Sequence, residues 1–371
     1  MANSATIILE RQLGVLLLDG SQNIVMSPYS AGACMAMVLA GAANKTLDQM
    51  CTAIGIDVEC EDAFMREHKT RSKYLNSEHD GLELVVCNSL WADGSVEAGY
   101  KAACKDYFNA EVFPLSNKET INAWICVKTK NKIPELLKEK VSGPSVVVNA
   151  VYFKGTFDTR FPIDATKDCL FYPDYDDGTP GDAVMVPTMN KVEKMKYIDH
   201  TAGTIVELPY GNSTFGLVII LPSQALGVAL AVQQIIGEDW TSVRDSMALE
   251  LVDLKLPKCS LKYDFSLKST MQDMGMNDVF SPSDACLDRL MKSEPGAYIV
   301  DVVQAATMDV NEEGVEATAA TAAIAGTRSC RVGRRPTPID VNVNRPYIML
   351  VVDNELDVIL FAAVVKNPKV E

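Results

Sequence analysis

A chain of 371 residues with a formal net charge of −15 is not a general nucleic-acid binder, because phosphate binding runs on an excess of Lys and Arg. A hydrophobic share of 48% against 22% charged residues also excludes a disordered or fibrous protein. The length can bury a large core, and with no internal repeat and no long Pro/Gly/Ser linker, one domain over residues 1–371 is expected.

In chain order, "MANSATIILERQLGVLLLDG" has no basic start, and Glu10, Arg11 and Gln12 break its apolar run, so it reads as an amphipathic helix rather than a cleavable leader. "SAGACMAMVLAGA" reads as a second helix with Ser30 as its N-cap. "TINAWICVKTKNKIPELLKEK", residues 120–140, has apolar residues at helical spacing, with the lysines from Lys128 to Lys140 on one wet face. The acidic run "DYDDGTPGD" is a solvated hairpin turn rather than a calcium loop, since Gly178 stands where an oxygen ligand belongs. The runs "SVVVNAVYFKG", "GTIVELPYG", "FGLVIILP", "LELVDLKLPK" and "YIMLVVDN" read as strands bounded by Gly, Pro and Asn. Helices early and strands late give an α+β class. The most apolar stretches are too short, or too interrupted by charge, to span a bilayer, so no membrane partner is expected.

The chemistry-bearing patterns are mostly missing. There is no G-x-S-x-G elbow, Walker loop, G-x-G-x-x-G or H-E-x-x-H, so no catalytic residue, metal or cofactor is expected and the chain does not read as an enzyme. His68, His79 and His200 each sit among charged residues and read as solvated imidazoles. Ten cysteines without a CxxC pair read as free, buried thiols of a reducing compartment. That places the chain in the cytoplasm, with unconventional secretion left open. Asn44-Lys45-Thr46 and Asn212-Ser213-Thr214 are sequons that matter only on the secretory route.

One stretch stands apart. From Gly314 to Gly326 there are six alanines, two threonines and one glutamate, and Arg328, Arg331, Arg334 and Arg335 follow. As a strand, one face would show Val315, Ala317, Ala319, Thr321, Ala323, Ala325 and Thr327, with Glu316, Thr318 and Arg328 on the other. Such a face is small enough to slide between existing strands.

Eight blocks in one order resemble the serpin family over essentially the whole chain: "NIVMSPYSAGACMAMVLAGA", "NSLWADG", "INAWICVKTKNKIPELL", "VVVNAVYFKGTF", "VELPYGNSTFGLVIILP", "LKLPKCSLKYDFSLKSTMQDMGMNDVF", "MDVNEEGVEATAATA" and "NRPYIMLVVDNELDVILFAAVVKNP". The resemblance implies an α+β serpin fold, helices packed on three β-sheets with an exposed reactive-centre loop at about residues 312–343. It implies a hinge at Glu312, Glu313, Gly314, Val315, Glu316, Ala317, Thr318, Ala319, Ala320 and Thr321. Seventeen residues counted from Glu312 inclusive end at Arg328, which makes Arg328-Ser329 the bait bond. Arginine there implies a trypsin-like serine protease as partner, trapped as a covalent acyl complex by a monomeric inhibitor. Arg331, Arg334 and Arg335 are further bait candidates, in a stretch from Ser329 to Asn344 that looks longer than in many relatives.

The family's sheet-opening cluster matches at Ser27, Ser30 and Asn149, with Gln304 where many members have histidine. Phe157 stands in place of a common tryptophan, which predicts looser packing near the top of the sheet. The small-sided, proline-free hinge favours inhibition over the alternative of a non-inhibitory carrier, chaperone or structural protein, because a long or charged side chain on its inward face would be costly to bury.

Overall fold

The computed structural model describes residues 22–79, 81–173, 175–176, 179–211, 214–223, 227–237, 240–292, 296–313, 337–356 and 358–369. The helix expected in residues 1–20, the hinge from Gly314 onward, and the Arg328-Ser329 bond with the arginines after it lie outside the described residues.

Five helices, α1 (Pro28–Gly41), α2 (Asn44–Ile54), α3 (Glu61–Leu75), α4 (Ala98–Phe108) and α5 (Lys118–Lys128), occupy the first third, another follows at Gly227–Gly237, and two short ones lie at Trp240–Asp245 and Lys268–Asp273. The strands begin with β1 (Ile24–Met26), β2 (Leu82–Ala92), β3 (Glu111–Pro114), β4 (Ser145–Gly155) and β5 (Lys167–Phe171). Next come β6 (Tyr175–Asp176), β7 (Thr179–Pro180), β8 (Val184–His200), β9 (Gly203–Pro209) and β10 (Phe215–Pro222). The rest are β11 (Ala248–Pro257), β12 (Cys259–Ser266), β13 (Asp301–Val310), β14 (Ile339–Asn342), β15 (Tyr347–Asp353) and β16 (Val358–Val365). All five strand runs read from the sequence are strands. The turn expected at the acidic run is bracketed by β6 pairing β7.

Among the described residues there are three sheets. A nine-stranded sheet runs β1-β16-β15-β10-β9-β8-β11-β14 with β5 paired to β8, a five-stranded sheet runs β12-β13-β4-β2-β3, and the third is the β6-β7 ribbon. β14 places the last part of the expected 312–343 loop in the edge of the large sheet, parallel to β11.

The five-stranded sheet is apolar on both faces. Val146, Val148, Ala150, Val303 and Ala305 cluster with Ile121 and Ile125 of α5 on one side. On the other, Val151, Phe153, Ala306 and Met308 share a core with Leu217, Ile219 and Val351 of the large sheet. α1 lies against β4, β16 and α4. It is buried almost all round, as expected of a helix without a polar face.

Three expectations about the helices need correction. The cap of α1 is Ser27, not Ser30: Ser27 Oγ accepts from Ser30 N at 3.2 Å, and Pro28 opens the helix with its φ already set. The helix expected to Lys140 ends at Lys128. Lys130 and Asn131 adopt φ of 51° and 65°, and beyond them the Asn122 side chain stands in for the helix ladder, accepting from Leu136 N and Leu137 N and donating to Leu137 O. The lysines are wet, but most are not on a helix. Finally, His68 is not solvated. It is 7% exposed, edge-on to Phe64 at 4.7 Å and tilted against Phe108 at 5.9 Å. Burial, helped by Arg71, pushes its pKa down to about 4.

Candidate functional site

β4 and β13 are the parallel central pair of the five-stranded sheet, in register from Asp301↔Val146 to Thr307↔Tyr152. Beyond that rung they part: Phe153 to Gly155 pair only with β2, and Met308 to Val310 only with β12. The seam is zipped along most of its length and splays at one end. Two devices hold it, one midway and one at the splayed end.

The midway device is a row of amides. Asn88, Asn149 and Gln304 are register partners across β2, β4 and β13, so all three project from the same face. Their parity is that of Leu90, Val147 and Val302, which cluster with the apolar side chains of α1, so the row faces the helix core. All three are essentially buried, at 2%, 0% and 0% exposure.

From Ser27 N to the Phe108 carbonyl the bonds run in one direction, and Gln304 Nε2 also donates back to Ser27 O at 3.2 Å. Ser27 N donates to Gln304 Oε1 at 3.0 Å, and Gln304 Nε2 donates to Asn149 Oδ1 at 2.9 Å. Asn149 Nδ2 then donates to Asn88 Oδ1 at 2.7 Å, and Asn88 Nδ2 to the Phe108 carbonyl at 3.4 Å. A backbone N–H that can only donate fixes one end, and a backbone carbonyl that can only accept fixes the other. Flipping any one amide would set donor against donor, so the whole row is orientationally locked.

Of the residues singled out in the sequence, the structure brings Ser27, Asn149 and Gln304 into one network. Ser30 joins through its backbone N–H, while its buried hydroxyl has no partner among the described residues. Asn88 was missed. Its signal was available, since it is a lone amide in the apolar strand "LELVVCNSLWA".

The second device gathers Glu312 and Glu313, the first two residues of the expected hinge. Glu312, 8% exposed, accepts through Oε1 from Thr166 Oγ1 at 2.8 Å and pairs through Oε2 with Lys258 Nζ at 2.8 Å. Burial alone would raise its carboxyl pKa. Hydrogen bonds from Lys258, from its own backbone and from Thr166 outweigh that and hold it below the ordinary value. Backbone bonds tie the same two residues to the chain leaving β4: Phe161 N donates to Glu312 O at 2.8 Å and Phe157 N to Glu313 O at 3.0 Å. Arg160 pairs with Glu313 at 3.6 Å.

The loose packing expected around Phe157 is not found. Phe157 is 2% exposed and stacks on Tyr210 at 5.2 Å with 5° between ring planes, and Phe153 meets the same tyrosine edge-on. Gly155 is what lets them close up. A Cβ there would sit 2.7 Å from Tyr210 and 2.9 Å from Phe153. Lys191 Nζ lies over Phe157 and Phe161 at 5.5 and 4.7 Å and donates to Thr159 O at 2.7 Å. Burial lowers its pKa, and the nearby Glu193 and Asp158 oppose that.

Among the described residues no cluster of His, Cys, Asp and Glu is placed to hold a metal ion, and no helix is long and apolar enough to cross a membrane. The nine described cysteines are free thiols, five of them buried.

The family model described as "Serpin (serine protease inhibitor)" matches residues 13–368. An antitrypsin of Bombyx mori is 31% identical over 362 residues, covering 93% of this chain and 88% of that one. The native-state structure of tengpin, a thermophilic serpin, superposes with a TM-score of 0.85 at 26% identity, covering 98% and 93% of the two chains. Human thyroxine-binding globulin in complex with its hormone shares the fold, with a TM-score of 0.85 at 22% identity and 98% coverage of each chain.

Proposed function

Given that the chain belongs to the serpin family, we propose that it inhibits trypsin-like serine proteases as a suicide substrate, with Arg328-Ser329 as the bait bond. The observation that carries the proposal is the direct β4-β13 pairing with Glu312 and Glu313 anchored where it splays, since a new central strand can enter only between two neighbours that can part.

The protease serine attacks the Arg328 carbonyl carbon. The peptide bond breaks, the Ser329 amine leaves with a proton, and an acyl ester joins the protease to Arg328. The freed segment then enters between β4 and β13 as a new strand. About 15 residues at roughly 3.3 Å each carry the protease about 50 Å, close to the diameter expected of a globule this size. Its distorted site does not complete hydrolysis, so the trap is a matter of rates. Small side chains on the alternate positions Val315, Ala317, Ala319, Thr321 and Ala323 support entry. The chain acts as an inhibitor and not as an enzyme, as a monomer and without a cofactor. Its free thiols support a cytoplasmic site of action, with unconventional secretion compatible with it.

Mixing with trypsin tests this. A denaturant-resistant complex and a released C-terminal peptide that begins at Ser329 are expected. A peptide beginning at Val332 would move the bait to Arg331, and clean hydrolysis without a complex would leave a non-inhibitory carrier.

A further inference from the structure

α1 touches the amide row at two places. Its N-terminal Ser27 bonds to Gln304 on β13, on one side of the seam. Cys34, about two turns along, directs its thiol at Asn88 Oδ1 on β2, on the other side, at 3.6 Å. The sulfur is fully buried, so no solvent competes for that contact.

Asn88 Oδ1 therefore receives two donors, Asn149 Nδ2 and the Cys34 thiol, while its own Nδ2 reaches a distant Phe108 carbonyl at 3.4 Å. That last contact is the longest link in the row. Without a second donor on Oδ1, the Asn88 amide would be held at its far end by a poor bond alone, and Asn149 with it.

We propose that Cys34 is a positioning residue for sheet opening: its thiol ties the β2-β4 side of the seam to α1, so that one helix clasps both sides and sets how readily they part. The idea rests on the inhibitory reading for its consequence, but not for its measurement. Burial pushes the Cys34 thiol up to about 12, so it remains a donor throughout the physiological range. Alanine would remove the donor, valine would replace its volume without it, and serine would keep a donor at the cost of a shorter side chain.

The test is hydrogen exchange of the uncut protein at the amides of residues 147–151 and 302–306, in the parent and in Cys34→Ala, Cys34→Val and Cys34→Ser. Loss of one weak donor should speed seam exchange about threefold in the alanine and valine variants. Residues 215–220 of β10 should be unchanged, and the serine variant should stay near the parent. If valine is parent-like and serine is the fastest, Cys34 only fills space and the proposal is wrong. It is equally overturned if all three match the parent, or if exchange rises everywhere at once. Failure of the parent to trap trypsin would refute the inhibitory function and leave this readout intact.

Discussion

Gln304→Ala is the most direct perturbation of the seam. It removes the acceptor of Ser27 N and the donor to Asn149 Oδ1, while Ser27 O keeps a partner in Ala31 N at 3.0 Å. Two polar groups at 0–1% exposure are thus stranded. Each costs about 1–3 kcal/mol, and with some relaxation into the space vacated the sum is about 3 kcal/mol. For a chain of 371 residues the unfolding entropy is about 0.8 kcal/mol per kelvin, so the midpoint should fall by about 4 °C. The cost falls on the zipped seam and not on β9, β10, β15 and β16 of the large sheet, so on the proposed function the spontaneous loss of trypsin trapping at warm temperatures should accelerate as well. The assay is a thermal melt of uncut protein beside a time course of residual trapping. A melting midpoint equal to the parent's, with an unchanged decay, would show that the amide row does not hold the seam.

Replacing the same residue with histidine keeps one acceptor and one donor while the ring is neutral, but protonation removes the acceptor facing Ser27 N. Burial depresses the folded-state pKa, so Gln304→His should be stable above about pH 6.5 and lose stability as pH falls below it, whereas the parent shows no such step in a pH series of melts. Glu312 is held below the ordinary carboxyl value, so its contribution is present at neutral pH and disappears as pH falls through its folded-state pKa. Lys258→Gln should shrink the difference between neutral and acid melting midpoints, and an unchanged difference would show that the clamp is not what the acid releases. If the chain inhibits by the proposed insertion, Thr321→Arg should turn it into a substrate, cut at Arg328-Ser329 with active trypsin recovered, because a guanidinium entering the seam costs several kcal/mol unless paired (about 2–7 for even a neutral group). A parent-like yield of covalent complex would rule out insertion in that register.

How far this was legible in the sequence depended on the range of the interactions. Short apolar strands between Gly, Pro and Asn declare themselves locally, and all five did. The apolar spacing over residues 120–140 outruns the helix because Ile133, Leu136 and Leu137 remain buried, at 4%, 5% and 8% exposure, after the backbone has left it. The chain leaves the helix through Lys130 and Asn131 in the left-handed region, and Asn122 then bonds to residues 14 and 15 positions on, which no periodicity records. His68 departs from expectation for the opposite reason. Met65, Ser72 and Leu75 share its buried face at helical spacing, although its immediate neighbours in the chain are charged or polar.

The amide row shows the limit most clearly. Each member can be spotted as a polar residue in an apolar strand, but Asn88 and Asn149 are 61 residues apart and Gln304 a further 155. Register across three strands is set by the packing of the whole sheet, which no local stretch contains. The composition of the row still follows from its task. An apolar seam resists opening in proportion to the area it exposes, whereas a row of hydrogen bonds resists until one link yields and can then be remade by an incoming partner. Glu312 and Glu313 sit eight residues from Gln304 and from Thr321 respectively. A strand that doubled back at that step would bring Thr321, a residue able both to donate and to accept, level with the row it had displaced. If the tract inserts as proposed, that register sets the Thr321 hydroxyl against Gln304 and Asn149, and Thr321→Val should slow insertion although it preserves shape.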